Sequence, residues 1–322
     1  MLLKHQITRL VMLLIYPILR PLFLPFAKNY LTVFLFHEVT DNPSAFQLAN
    51  SNYTTPKNFQ RNISWIAKNY KVVSINEIEN LPTKREKPLA IITFDDAWKG
   101  QVEAVKHIQK KYNLPFTHFL NIGTIKSRVD IAALRSYKRI EVPVFKEDIE
   151  FRTKEDSLFL DFLQWQGEIM TMDEVDEIDK LKLSTLANHS LHHYPATDLT
   201  DKGFSENVYF NENALKKFKS YENYFAFPFG RPKIDFEESH IHLLKLRNYK
   251  YIFSADGKLN SLPIKDQAVL SRVNFSPSDS LKSDFWWATY KNKLLHNHLL
   301  VLNLQHFYIE LWVQKILQDF YL

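Results

Sequence analysis

The chain has 322 residues, of which 45% are hydrophobic and 24% charged, with a formal net charge of +5. That balance excludes a mainly disordered chain. The scattering of Lys and Arg among Asp and Glu, with no basic stripe, argues against nucleic acid as a partner. Cys is absent, so neither a disulfide framework nor a thiolate metal site is possible, and any metal must rest on His and carboxylates.

Residues 1–30 form an apolar, basic N-terminal segment, with an apolar run Leu10–Leu19 between Arg9 and Arg20. A membrane-spanning helix needs about 20 apolar residues, and Pro17, Pro21 and Pro25 interrupt any extension of this run. The start resembles a secretory signal, yet no small-residue cleavage site follows before Lys28. The segment is expected to lie in a membrane interface; the alternative is a helix packed outside the domain. The expected location is therefore membrane-associated or in the cell envelope, with the cytoplasmic face also open.

The remainder, residues 31–322, reads as one domain in which strands alternate with crossover helices. Strands are expected at Leu31–Phe36, Leu89–Phe94, Phe116–Leu120, Leu183–Ala187, Tyr224–Phe227, Tyr251–Ser254, Ala268–Val273 and Leu300–Leu304, separated by amphipathic stretches. Thr55 and Pro56 open a helix as N-cap and first-turn proline, with Phe59, Ile63 and Ile66 on one face. Thr171 with Glu174 makes a capping-box start. The stretch 126–167 is longer than a crossover requires and is expected to be an inserted helical or loop excursion able to roof a cleft.

Polar residues follow directly on the apolar runs: His37, Asp95 with Asp96, Asn188 with His189, and His306. In a parallel barrel the carboxyl ends of all strands open on one face, so these side chains would converge on one pocket. Taken alone, the paired Asp residues could be helix caps, and His189 with His193 could be a surface pair. Together, two imidazoles and a carboxylate suit a divalent ion with positions left for water and substrate.

Thr93-Phe94-Asp95-Asp96, then His189-Ser190-Leu191-His192-His193, then Phe225-Ala226-Phe227-Pro228-Phe229-Gly230 occur in that order. This set resembles the motifs of the polysaccharide deacetylase (NodB-homology) family, and the opening Phe36-His37-Glu38-Val39 is similar to that of many relatives. The resemblance covers about Leu31 to Phe275. It implies a distorted (β/α) barrel of the polysaccharide deacetylase type, seven-stranded or similar, that removes acetyl groups from N-acetylated amino sugars; with segment 1–30 at a membrane surface, an envelope polysaccharide or lipid-linked glycan is the expected substrate.

By the same resemblance, Asp96, His189 and His193 would bind the metal, with Zn2+ expected. Asp95 would be the general base, and Phe227, Pro228, Phe229 and Gly230 would line the substrate pocket, with amides of Phe229 and Gly230 holding the oxyanion. A general acid must protonate the leaving amine. His306, at the end of the run Leu300–Leu304, and His37 are rival candidates for it. His192 is expected to be a bystander.

Two departures matter. Ala97 stands where a Gly often follows TFDD, and Ala226 stands where many relatives carry an Arg that pairs with the base. Arg272, on a later strand, is expected to supply that charge. Two other readings stay open: a non-catalytic sugar-binding relic of this fold, and a two-His-one-carboxylate iron enzyme.

Overall fold

The computed structural model describes residues 27–138, 157–264 and 269–274. The strand expected at Leu300–Leu304, His306, residues 1–26 and the middle of the excursion lie outside them. Strands are β1 (Tyr30–Phe36), β2 (Glu38–Val39), β3 (Tyr53–Thr54), β4 (Lys71–Val72), β5 (Leu89–Asp95), β6 (Phe116–Leu120), β7 (Ser184–Asn188), β8 (Tyr221–Ala226), β9 (Tyr251–Phe253), β10 (Asn260–Ser261), β11 (Val269–Leu270) and β12 (Arg272–Asn274). Helices are α1 (Ala45–Asn50), α2 (Pro56–Asn69), α3 (Gly100–Tyr112), α4 (Ile122–Ser127), α5 (Ile131–Lys138), α6 (Ser157–Gln166), α7 (Met172–Asp179), α8 (Asp201–Leu215) and α9 (Glu238–Leu246).

β1, β5, β6, β7, β8 and β9 pair in that order, all in parallel. The short run 269–274 then serves both sides: β11 pairs with β9, and β12, one residue later, pairs with β1. This completes a ring of seven staves. Asn260 stitches the closure by accepting the amide of Ser271 (2.8 Å) while donating to Ser271 O (2.9 Å) and Leu31 O (3.2 Å).

Parallel strands covered on both faces lose the apolar-polar alternation of half-exposed ones, and the seven residues of β1 and of β5 are all buried. Residues alternate between two cores instead. Leu31, Val33, Ile91, Phe119, Ala187, Ala226 and Phe253 fill the inside of the ring. Phe225 and Ile252, pointing the other way, join Phe204, Val208, Leu244 and Tyr249 under α8 and α9.

The helix starts follow their caps. Thr55 accepts the amide of Asn58 (3.3 Å) with Pro56 in the first turn, and α2 buries Phe59, Ile63 and Ile66. Thr171 and Glu174 form both halves of a capping box on α7. The excursion contributes α5 and α6, which pack on each other through Tyr137, Phe162 and Trp165.

Glu38 is buried against the start of α3. Its Oε1 accepts the amide of Val39 (2.6 Å), Gly100 N–H also donates to the carboxylate, and Gln47 Nε2 lies 3.4 Å from Oε2. A Cβ on Gly100 would fall 2.2 Å from Oε1, so only glycine admits this approach. Burial pushes the Glu38 pKa up to about 7, against the lowering effect of its backbone hydrogen bonds. A carboxyl whose pKa is raised on folding stabilises the fold below its unfolded pKa, and that contribution drains away as pH climbs through the folded value. Glu38→Gln mimics the protonated form. Thermal melts should find it more stable than the parent above pH 7, by on the order of 2 kcal/mol, with the two converging near pH 4.5; parallel pH profiles would refute the assignment.

Candidate active site

The site lies at the carboxyl ends of the strands. Along a regular strand successive side chains point to opposite faces, so two adjacent carboxylates should diverge. Here β5 ends at Asp95, and Asp96 (φ 72°) and Ala97 (φ 59°) both take left-handed backbone, which breaks the alternation and brings both carboxylates to one centre. Neither Asp caps α3, whose N-cap is Lys99. The Gly usual in relatives after this motif has a physical reason, because a left-handed backbone costs a non-glycine residue roughly 1–2 kcal/mol.

Asp96 Oδ1 lies 3.3 Å from His189 Nε2 and 3.1 Å from His193 Nε2. The ligand atoms of these three buried residues all fall within 4.8 Å of one another. Each imidazole has its other nitrogen engaged: His189 Nδ1 with the carbonyl of Ala226 (2.7 Å), His193 Nδ1 with Asp130 Oδ2 (2.8 Å). That leaves both Nε2 atoms for a shared cation. Trp98 Nε1 donates to Asp96 Oδ2 (3.2 Å), while Asp96 Oδ1 is buried without a hydrogen-bond donor among the described residues. A buried carboxylate oxygen facing two imidazole nitrogens is a donor set that fits a divalent metal. Burial opposes charge on both Asp96 and His193. The attraction between them prevails: with His189 and His37 it holds the Asp96 carboxyl well below the usual range, and with Asp130 it raises His193 to about 9.

Asp95 takes a different partner. Arg272 NH1 and NH2 donate to its Oδ1 and Oδ2, each at 2.7 Å, and Arg272 Nε donates to Ser254 O (3.0 Å). Arg272 is 1% exposed and its guanidinium lies over the Phe119 ring, 5.3 Å from its centroid. The cation absent at Ala226 thus arrives from β12. Asp95 Oδ2 is 3.6 Å from His189 Nε2, beside the cluster of Asp96, His189 and His193.

His37 Nε2 lies 3.9 Å from Asp96 Oδ2, and its side chain keeps 14% exposure. Burial lowers its pKa, only partly offset by Asp96 and Asp95. Gln101 ties His37 to Asp95, donating to His37 O (3.2 Å) and Asp95 O (2.6 Å). His192 packs over Gly123, away from the cluster, and burial lowers it to about 4.

The proline turn divides. Phe229 is 43% exposed and stacks on His193, centroids 5.0 Å apart and planes within 4°. Phe227 must be withdrawn as a pocket residue: it is fully buried, stacked on Phe236 at 3.9 Å in the layer beneath α8 and α9. Pro228 and Gly230 are buried too, with Gly230 (φ 75°) pressed on Ala255 so that a Cβ would meet its backbone N at 2.7 Å. The Gly230 amide donates to Pro228 O (2.6 Å), so it is not a free oxyanion donor.

The approach of His189 is set by a polar network. Asn188 Oδ1 accepts the Ser190 amide (2.8 Å) and Asn211 Nδ2 (2.8 Å), Asn188 Nδ2 donates to Tyr249 Oη (2.6 Å), and Asn121 Nδ2 donates to the carbonyls of His189 and Ser190. Sequence reading passed over Asp130, Trp98 and Gln101. Of these, only Asp130 carried a visible signal, as a lone carboxylate in the apolar stretch Val129–Leu134.

A family model described as polysaccharide deacetylase matches residues 83–252. No curated protein matches the chain. Among solved structures it is similar to the Streptococcus pyogenes deacetylase PplD in complex with acetate, at 15% identity over 80% of this chain and 97% of that one, with a TM-score of 0.57. IcaB from Ammonifex degensii gives 17% identity, 81% and 97% coverage and a TM-score of 0.56. The polysaccharide deacetylase BC0361 of Bacillus cereus gives 14%, 81%, 68% and 0.57. At such identities the structural likeness establishes the barrel alone. The family match carries more, since its span holds Asp95, Asp96, His189, His193 and the proline turn, though not His37 or Arg272: the chain belongs to the polysaccharide deacetylase family and is a carbohydrate N-deacetylase.

Proposed function

We propose that the protein is a metal-dependent hydrolase that removes N-acetyl groups from amino sugars of an envelope polysaccharide or lipid-linked glycan. The observation that carries the reading is Asp96 Oδ1, buried, without a hydrogen-bond donor, and facing the Nε2 atoms of both His189 and His193. These three residues would hold the ion, and their N and O donors suit Zn2+. When bound, a divalent ion supplies polarisation of the amide carbonyl and a lowered pKa for water beside it.

The chain's own residues do the proton work. Asp95, held in orientation by the bidentate Arg272 pair, takes the proton from the attacking water. His37 Nε2, on the open side of Asp96, is placed to protonate the departing amine; burial makes its imidazolium a readier donor. His306 remains the second candidate for that role, outside the described residues. Phe229 offers an exposed ring face at the mouth, suited to the apolar face of a sugar.

Arg272 also bears on the rival readings. A relic site was suggested by the missing Arg at Ala226, and a base with its guanidinium in place removes that motive. An iron oxygenase would need an oxidant, so acetate release under anaerobic conditions separates it. The apolar, basic segment 1–30 supports action at a membrane surface, on either face.

The decisive assay is acetate release, without oxygen, from a panel of N-acetylated envelope glycans by zinc-loaded protein. Release should disappear on chelation and return with Zn2+; a wild-type chain that takes up no metal, or releases no acetate from any glycan, sinks the proposal. Asp95→Asn should retain metal and lose about 10²–10⁴-fold in kcat, the usual contribution of a positioned base. Metal-loaded Asp95→Asn working at the parental rate would remove Asp95 from the mechanism.

Arg272→Ala should cut turnover while leaving metal stoichiometry nearly unchanged, because it acts on the base and not on the ligand cluster. It should also lower stability by about 3–5 kcal/mol, the cost of stranding one partner of a buried ion pair. Arg272→Lys, which keeps the charge but not the fork, should fall between. Unaltered kinetics in Arg272→Ala would refute the role.

A further inference from the structure

The two metal-facing imidazoles are held by unlike partners. His189 Nδ1 meets a neutral carbonyl, that of Ala226, whereas His193 Nδ1 meets the carboxylate of Asp130. Asp130 is fully buried, and it is itself fixed from two directions. Its Oδ1 accepts the amide of Ala133 in α5 (2.9 Å), and its own amide donates to Gln166 Oε1 (2.7 Å). Gln166, 1% exposed at the end of α6, turns its Nε2 to the carbonyl of Arg128 (3.1 Å), and its own carbonyl accepts from Ser44 Oγ (2.7 Å). Both ends of the excursion therefore grip the carboxylate that engages His193 Nδ1. The backbone of His193 is left-handed (φ 58°) and one face of its ring lies on Phe229, so the stack and the Asp130 hydrogen bond together fix the orientation of the ring.

We propose that Asp130, locked by Gln166, is a positioning residue for His193 that sets the metal affinity of the site, so that the excursion of α5 and α6 acts on catalysis through a metal ligand. The inference rests on the reading of Asp96, His189 and His193 as the metal centre. A carboxylate on Nδ1–H fixes the tautomer that presents Nε2 and raises the basicity of the ring as a ligand, and loss of such a partner typically costs 10–100-fold in affinity. Asn at 130 has one oxygen to serve two donors, the Ala133 amide and His193 Nδ1–H.

The test uses full-length protein stripped of metal and titrated with Co2+ and with Zn2+ against a chromophoric chelator. Asp130→Asn should bind each ion about 10–100-fold more weakly, and its cobalt spectrum should shift as the His193 ring is freed. Gln166→Leu, which touches no ligand, should weaken binding in the same direction by a smaller factor. Tyr137→Leu, which loosens the packing of α5 on α6 without touching this chain of hydrogen bonds, should lower Tm yet leave affinity unchanged. Parental affinity in a folded Asp130→Asn overturns the inference, as does a loss in Tyr137→Leu equal to that in Asp130→Asn. Should Asp130→Asn not fold, parental affinity in Gln166→Leu does the same. A wild-type chain that binds neither ion overturns the metal reading itself and this inference with it.

Discussion

Two carboxylates buried side by side at the end of β5 need two separate sources of positive charge, and the molecule is organised around that requirement. An unpaired buried carboxylate would cost several kcal/mol or take up a proton. Asp95 receives a guanidinium fork from β12, and Asp96 faces two imidazoles from the loop after β7. The division of partners is also a division of chemistry. The guanidinium fork fixes the orientation of Asp95, while the bare oxygen of Asp96 between two ring nitrogens is suited to a cation.

The barrel makes these partners available. Seven staves with all carboxyl ends on one rim bring residues 37, 95, 96, 189, 193 and 272 within a few ångströms of one another. Around them lies a layer of amides and carbonyls, from Gln101, Asn121, Asn188 and Asn211, that holds the exits of β1, β5, β6 and β7 in place. Buried polar groups of this kind are tolerated because their partners are supplied.

Much of this was legible in the residues. The apolar runs set the staves to within a few positions, because a strand buried on both faces has no other reading than a short hydrophobic stretch. Thr55-Pro56 and Thr171 with Glu174 stated their helix starts by capping chemistry. Three things were hidden. The split of residues 269–274 into two strands facing different neighbours depends on pairing across more than two hundred residues, which local pattern does not contain. The inward turn of Asp96 depends on left-handed backbone at two residues that are not glycine. Asp130 reads in sequence as a lone carboxylate that caps a helix and Gln166 as a surface amide, while the contact of Asp130 with His193 and that of Gln166 with Asp130 are tertiary. Phe227 misled for the opposite reason: a motif position known to neighbour a pocket says nothing about which way a strand-end ring points, and the pleat sends this one into the outer layer.

The double duty of the run 269–274 has a consequence for biogenesis. β12 pairs with β1 across about 240 residues of chain, and it carries the guanidinium that Asp95 requires. Contacts so distant in sequence form late, since the loop entropy must be met before they return any stabilisation. A nascent chain that has emerged only as far as β9 already possesses both aspartates and both imidazoles, yet has an open seam and an uncompensated acid at its centre. Closing the ring and delivering the guanidinium to Asp95 are therefore a single step, so the barrel seam and its polar centre are completed together.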